Sequence, residues 1–193
     1  MRIIVATYFT VDRSGTLLPE SIINLRIDYS KIHIYAIENL ITTEELINRT
    51  HQLYPDGLSN FGVQYLHEHN LIVKDTQTRQ SLNFAPHIPV LEGIFEQVRL
   101  NEFPERPSRM QSMFGWCTKP DAVVFKEAHG NVHNIFEVHS GNAFIADQNL
   151  LYLGASIMGT YEFARKYWSG DRSNNYKPEA VIPLPSDIGV VVI

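Results

Sequence analysis

The segment Arg99–Asp121, RLNEFPERPSRMQSMFGWCTKPD, carries the densest set of side chains able to do chemistry. Arg109 stands between Ser108 and Ser112, and the aromatics Phe114 and Trp116 follow at alternating positions. A guanidinium with two hydroxyls at a strand entrance suits an anionic ligand, with the aromatics as a stacking wall. A surface loop running into a core strand fits the same residues. Glu179 is the second element: it opens the apolar run Glu179–Pro183, either at a cleft rim or at a solvated strand end. Asp147, in the polar bend Ala146–Asn149, is placed to line a cleft. Glu137 alternates with apolar residues and reads as a solvent-facing strand position.

The eight histidines raise a metal site first. They include His67-Glu68-His69 and the pair His129 and His133, but zinc needs three or four converging ligands. Gly130-Asn131 interrupts any helical spacing of the second pair, and neither His-Glu-x-x-His nor a cysteine pair occurs. The histidines therefore read as structural or surface groups, and a metal hydrolase built on them is the weakest reading. Glycine-rich phosphate loops, the dinucleotide fingerprint and the Gly-x-Ser-x-Gly elbow are absent. Cys117, beside Trp116 in an apolar run, reads as an inert core thiol. A single cysteine forms no intrachain disulfide, in keeping with a reducing, cytoplasmic setting.

These groups must be positioned by one domain of 193 residues, 44% apolar and 19% charged. A chain this apolar offsets its ordering entropy, which excludes wholesale disorder. The net charge of −5 and the lack of a basic run argue against a nucleic-acid binder. No apolar stretch is long enough to span a membrane, and the N-terminus reads as a first strand, Ile3–Val11, rather than a signal peptide. Ile22–Ile27 and His33–Ile37 are candidate strands. Thr42-Thr43-Glu44-Glu45 starts a helix with a capping residue and acids in its first turn. Gly57–Gly62 reads as a loop, Val63–His69 as a helical turn, and Lys74–Ser81 as polar and exposed. Leu91, Ile94, Phe95 and Val98 recur at i, i+3, i+4 and i+7 in the clearest helix, bounded by Pro86–Pro89 and Pro104. Ser112–Cys117 is a strand, Lys119–Glu127 a helix, Asn134–Val138 a strand, and Phe144–Leu153 ambiguous. Gly159–Trp168 is a helix stopped by Gly170. Glu179–Pro183 and Gly189–Ile193 are strands around a Pro185-Ser186-Asp187 turn. Helices and strands without regular alternation predict an α+β class.

Taken in order, the pieces TYFTVDRSG, FPERPSRMQSMFGWCTKPDA, FARKYWSGD and PEAVIPL cover most of the chain. Together they resemble an uncharacterised microbial family of the ADP-ribosyltransferase fold. The resemblance implies a split, mixed β-sheet core with flanking helices, with residues 31–81 as a helical or loop decoration. It also implies cleavage of the nicotinamide–ribose bond of NAD⁺, with transfer of ADP-ribose to an acceptor or to water. Breaking that bond develops an oxocarbenium-like ribose, which a fixed carboxylate stabilises.

Carried over, Glu179 is the catalytic acid. Ser112 and Phe114 lie on the middle strand that shapes the nicotinamide pocket, and Arg109 pairs with the pyrophosphate. Thr10 stands where a His or Arg is expected on the first strand, Arg13 supplies the missing cation, and Phe125 stacks on nicotinamide. Asp147 completes the cofactor-binding set. NAD⁺ is a substrate, no metal is implied, and the acceptor is a protein side chain. The alternative is a catalytically inactive member of the fold that binds or inhibits a partner, which Thr10 favours.

Overall fold

The computed structural model describes residues 5–29, 40–67, 72–74, 81–83, 87–130 and 132–193. The strand expected over His33–Ile37 lies outside them. A seven-stranded sheet, ordered β2-β9-β6-β1-β5-β8-β7, forms the centre. Its strands are β1 (Ala6–Val11), β2 (Ser21–Ile23), β5 (Ser112–Trp116), β6 (Ile135–Ser140), β7 (Phe144–Asp147), β8 (Pro178–Pro183) and β9 (Ser186–Val191). A separate hairpin pairs β3 (Ile72–Lys74) with β4 (Ser81–Asn83). The α+β class holds, but the sheet is antiparallel at every described pairing rather than mixed. The reason is topological. Helix α4 (Lys119–Ala128) crosses from β5 to β6, and β1 lies between those two strands, so the parallel pair is never adjacent.

The sheet is uneven along its width. β1 pairs with β6 over six residues, from Ala6 with Ser140 to Val11 with Ile135. Against β5 it has one register pair, Phe9 with Trp116. The Thr10 hydroxyl donates to the Phe114 carbonyl at 2.8 Å, so a side chain ties the strands where the main chains diverge. β5 then pairs with β8 over five residues, and Trp116 stands opposite Glu179.

Helices α3 (His87–Glu102) and α5 (Ile157–Ser169) cover one face of the β5–β8–β7 half, with Leu91, Phe95, Val98, Tyr167 and Trp168 packed on Val181. Met113, Phe136, Ala180, Ile182 and Ile188 form a second cluster. Strand alternation puts Glu179 on the face of Val181, opposite Ala180 and Ile182. Phe114 faces Val181 across the β5–β8 ladder, so Phe114, Trp116 and Glu179 share one surface. Local signals set the helix ends. Thr42 and Glu45 form a reciprocal capping box on α1 (Thr43–Leu53), and Gly170 ends α5 at φ 87°.

Helix α2 (Asn60–His67) begins inside the segment read as a loop. Its Ser59 hydroxyl donates to the Met110 carbonyl and accepts from the Gly62 amide. Glycine suits this first turn because a Cβ on Gly62 would lie 2.0 Å from the Met110 carbonyl oxygen. That obstacle is backbone and cannot rotate aside. Gly62→Ala is expected to destabilise the protein by about 3 kcal/mol, at the upper end of overpacking penalties. Urea unfolding checks this, and a change below about 0.5 kcal/mol would contradict the contact.

Candidate active site

Short elements converge on the surface shared by Phe114, Trp116 and Glu179. The turn Arg109–Gln111, a single 3₁₀ turn capped by Ser108, swings Arg109 under β5 as that strand begins. Arg109 is 2% exposed and meets two carboxylates. Its Nε and one terminal nitrogen donate to the two oxygens of Glu92 on α3 at 2.7 and 2.9 Å. The other terminal nitrogen donates to Glu179 Oε2 at 2.8 Å and to the Tyr167 hydroxyl at 2.5 Å. Tyr167, on α5, in turn donates to the same Glu179 oxygen at 2.8 Å. Both donors engage Oε2; among the described residues, Oε1 takes no hydrogen bond. A carboxylate held this way is fixed in orientation and presents its second oxygen.

Burial and charge oppose each other in this cluster. Burial works against the Arg109 charge, but Glu179 and then Glu92 outweigh it and hold the guanidinium well above its ordinary pKa. Burial pushes the Glu92 carboxyl up, and the pair with Arg109 pulls it part of the way back. The Tyr167 phenol is raised well above its usual value by burial, against the pull of Arg109, with Glu179 adding to the rise; it stays a neutral donor.

Above this cluster lies a cavity of about 330 Å³, with Glu92, Arg109 and Glu179 in its lining. Its walls are aromatic. Phe61 of α2 packs on Phe114 at 5.3 Å between ring centroids, Trp116 on Phe125 at 5.2 Å, and Phe125 on His129 at 4.1 Å. Tyr65 of α2 lines it too, its phenol driven up by burial and by Glu92. The cavity thus opens at the seam where β1 and β5 part, since Thr10, Val11, Phe114, Gly115 and Trp116 all border it. Arg13 stands over the Phe125 ring at 5.7 Å and also borders a second cavity of about 370 Å³, lined further by Ser14, Thr16, Asn60 and Gln64. Burial lowers the Arg13 pKa, against an opposing pull from Tyr65.

A family profile described as a protein of unknown function, DUF2441, matches residues 9–191. The chain belongs to the DUF2441 family. No curated protein matches it. In this DUF2441 chain the geometry brings six of the expected site residues to one cavity, namely Thr10, Arg13, Arg109, Phe114, Phe125 and Glu179. Two stand elsewhere. Ser112 is fully buried, and its hydroxyl donates to the Ser108 carbonyl at 2.7 Å, closing the 3₁₀ turn instead of facing a ligand. Asp147, also fully buried, accepts from the backbone amides of Asn149, Ser173 and Lys177 at 3.0, 2.7 and 3.0 Å. It organises the loop that leads into β8.

The expected role of Arg109 also changes. Four hydrogen bonds to Glu92, Glu179 and Tyr167 occupy its guanidinium, so the bidentate face needed for a pyrophosphate is already taken. Arg109 positions Glu179. Thr10 likewise spends its donor on Phe114. The segment expected as decoration contributes Phe61 and Tyr65 to the cavity wall. Cys117 is half-buried, and burial, then Asp121, pushes its thiol up, which leaves it protonated. Among the described residues, no group of three or more His, Cys, Asp and Glu stands close enough to hold a metal ion. Nor is any helix among them long and apolar enough to cross a membrane.

The pH dependence of Asp147 has a definite sign. Burial alone would raise its carboxyl; the bonds from Ser173, Lys177 and Asn149 outweigh that and leave it below the ordinary value. A carboxyl lowered by folding contributes stability above its unfolded pKa of about 3.9 and loses it as pH falls through the lower folded value. Asp147→Asn is therefore expected to cost about 2 kcal/mol at neutral pH, with the gap to the natural protein closing below about pH 4. Urea midpoints at several pH values check the expectation; a gap that widens in acid would overturn it.

Proposed function

We propose that this protein cleaves the nicotinamide–ribose bond of NAD⁺, as a mono-ADP-ribosyltransferase acting on a protein or as an NAD glycohydrolase. The supporting observation is Glu179: a carboxylate fixed by Arg109 and Tyr167 in the lining of an aromatic-walled cavity, with Oε1 not engaged by the described residues. Such a group stabilises a ribose that becomes cationic as nicotinamide departs, without having to reorganise. The rings of Phe114, Phe125 and Trp116 suit a flat heterocycle. The junction of a four-strand half and a three-strand half through one register pair is in keeping with a split sheet of the ADP-ribosyltransferase kind. The acidic balance of the chain favours a protein acceptor over a nucleic acid.

In this reading Glu179 faces the ribose, the aromatic wall holds the nicotinamide ring, and Arg13, between the two cavities, faces the pyrophosphate. The test is incubation with NAD⁺ labelled in the adenylate half, alone and with a cell lysate. Free nicotinamide in both cases, with label on protein in the second, supports transfer; nicotinamide without label on protein supports the glycohydrolase. One observation favours a silent binding module, since the Thr10 hydroxyl on the first strand is spent on Phe114. That reading predicts a thermal shift with NAD⁺ and no nicotinamide release.

A further inference from the structure

Several polar groups that border the cavity spend their hydrogen bonds on the protein. Arg109 is engaged with Glu92, Glu179 and Tyr167, both oxygens of Glu92 with Arg109, and Thr10 with the Phe114 carbonyl. Tyr65 is different. It stands one turn after Phe61 on α2 and lines the same cavity, stacked on the Phe61 ring at 6.3 Å with 25° between the planes. Phe61 packs in turn on Phe114, and Ser59 ties the start of α2 to the Met110 carbonyl. Tyr65 is thus held by its ring, and among the described residues its hydroxyl makes no hydrogen bond. The charges of Glu92, Arg109, Glu179 and Arg13 all act on this phenol, which places it close to the cluster around Glu179. Burial and the two carboxylates drive its pKa up, so the hydroxyl is a neutral donor at physiological pH.

The cavity therefore offers an uncommitted donor, the Tyr65 hydroxyl, and an uncommitted acceptor, Glu179 Oε1. Together they complement a group that accepts one hydrogen bond and donates another, which is what a hydroxyl or a carboxamide does. Glu179 faces the ribose in the proposed function, so the group between them is a hydroxyl of that sugar. We infer that Tyr65 is a specificity-determining residue whose hydroxyl donates to a sugar hydroxyl of the bound ligand, opposite Glu179. The inference deepens the proposed function and rests on it for the identity of the sugar, the ribose that carries nicotinamide. It also gives α2, outside the elements that carry the other expected site residues, a direct part in recognition.

The test is Tyr65→Phe in the full chain, which keeps the stack on Phe61 and removes only the hydroxyl. Because that hydroxyl has no partner among the described residues, the melting temperature is expected to stay within about 2 °C of the natural protein's. Affinities are measured by titration calorimetry for two probes that the proposed reaction leaves intact. One is carba-NAD⁺, whose ribose is carbocyclic so that the nicotinamide bond holds; the other is ADP-ribose, which has the sugar and lacks the ring. Tyr65→Phe is expected to weaken both about fivefold, the worth of one neutral hydrogen bond. Unchanged affinity for both probes overturns the inference, and so does a loss confined to carba-NAD⁺, which would put the hydroxyl on the ring. A variant that melts well below the natural protein, or fails to fold, also overturns it, since the hydroxyl would then serve the fold. If the natural protein binds neither probe at millimolar concentration, the inference and the proposed function fall together. Binding with the expected loss but no nicotinamide release from NAD⁺ removes the enzymatic reading alone, and release with unchanged affinities removes this inference alone.

Discussion

Replacing Glu179 by glutamine is expected to lower nicotinamide release from NAD⁺ by about 10²–10³-fold while leaving the fold intact. The amide keeps the size of the side chain, and its oxygen still accepts from Arg109 and Tyr167, so packing under Val181 and against Ala146 is preserved. What disappears is the formal charge that the proposed reaction needs beside the ribose as the bond breaks. Such a loss falls on the transition state more than on bound substrate, so kcat should fall while KM moves little. Circular dichroism and a melting curve establish that the variant is folded. Release at the natural rate from a folded Glu179→Gln would remove this residue from the chemistry.

The largest stability effect is expected at Arg109. Arg109→Met retains much of the apolar stem and removes the guanidinium, leaving Glu92, Glu179 and the Tyr167 hydroxyl facing one another without it. Breaking a buried ion pair from one side costs about 3–5 kcal/mol, because uncompensated charge stays in the interior. Arg109→Lys should recover little, since one ammonium cannot meet both oxygens of Glu92 and reach Glu179 as well. Adding Glu92→Gln to Arg109→Met should recover part of the loss by removing one of the stranded charges, a coupling that a double-mutant cycle reads directly. A cost below about 1 kcal/mol for Arg109→Met would mean that the network is solvated and only loosely formed.

Much of the scaffold was legible because it is written in local rules. The Thr42–Glu45 box, the apolar stripe of α3, the glycine stop after Trp168 and the strand at Ser112 each depend on neighbours a few residues away. Glu179 was legible for the same reason, as an acid opening an apolar strand. The misreadings share a different cause. Only the start of helix α2, Asn60–Gly62, was hidden, by Gly62, a poor helix former retained because the Met110 backbone touches it; the rest was read as a helical turn over Val63–His69. β9 starts at Ser186, earlier than its apolar run suggests, because Ser186 and Asp187 pair with Ile23 and Ile22 of a strand far away in sequence.

The partners of Arg109 lie 17 and 70 residues away, and nothing local distinguishes a ligand-binding arginine from one already spent. One signal was available. Glu92, Glu96 and Arg99 repeat at i, i+4 and i+7, a charged stripe beside the apolar one, and all three are buried. Two acids and a base in that register on a helix that also carries a core stripe point to buried ion pairs, provided that further arginines follow. Arg106 and Arg109 do follow.

The seam between β1 and β5 has a mechanical consequence. Successive rungs of a ladder resist sliding and folding between strands; here one register pair, the Thr10 side chain and the cluster that packs Phe9 and Val11 with Trp116 and α4 supply that resistance. The sheet therefore resembles two plates joined along a crease. Thr10, Val11 and Arg13 ride on one plate and Phe114 and Glu179 on the other, so a small change in crease angle becomes a change in the distance between the first-strand wall and the carboxylate. A flat ring lodged between the plates would act as a strut, stiffening the crease and setting the width at which Glu179 works.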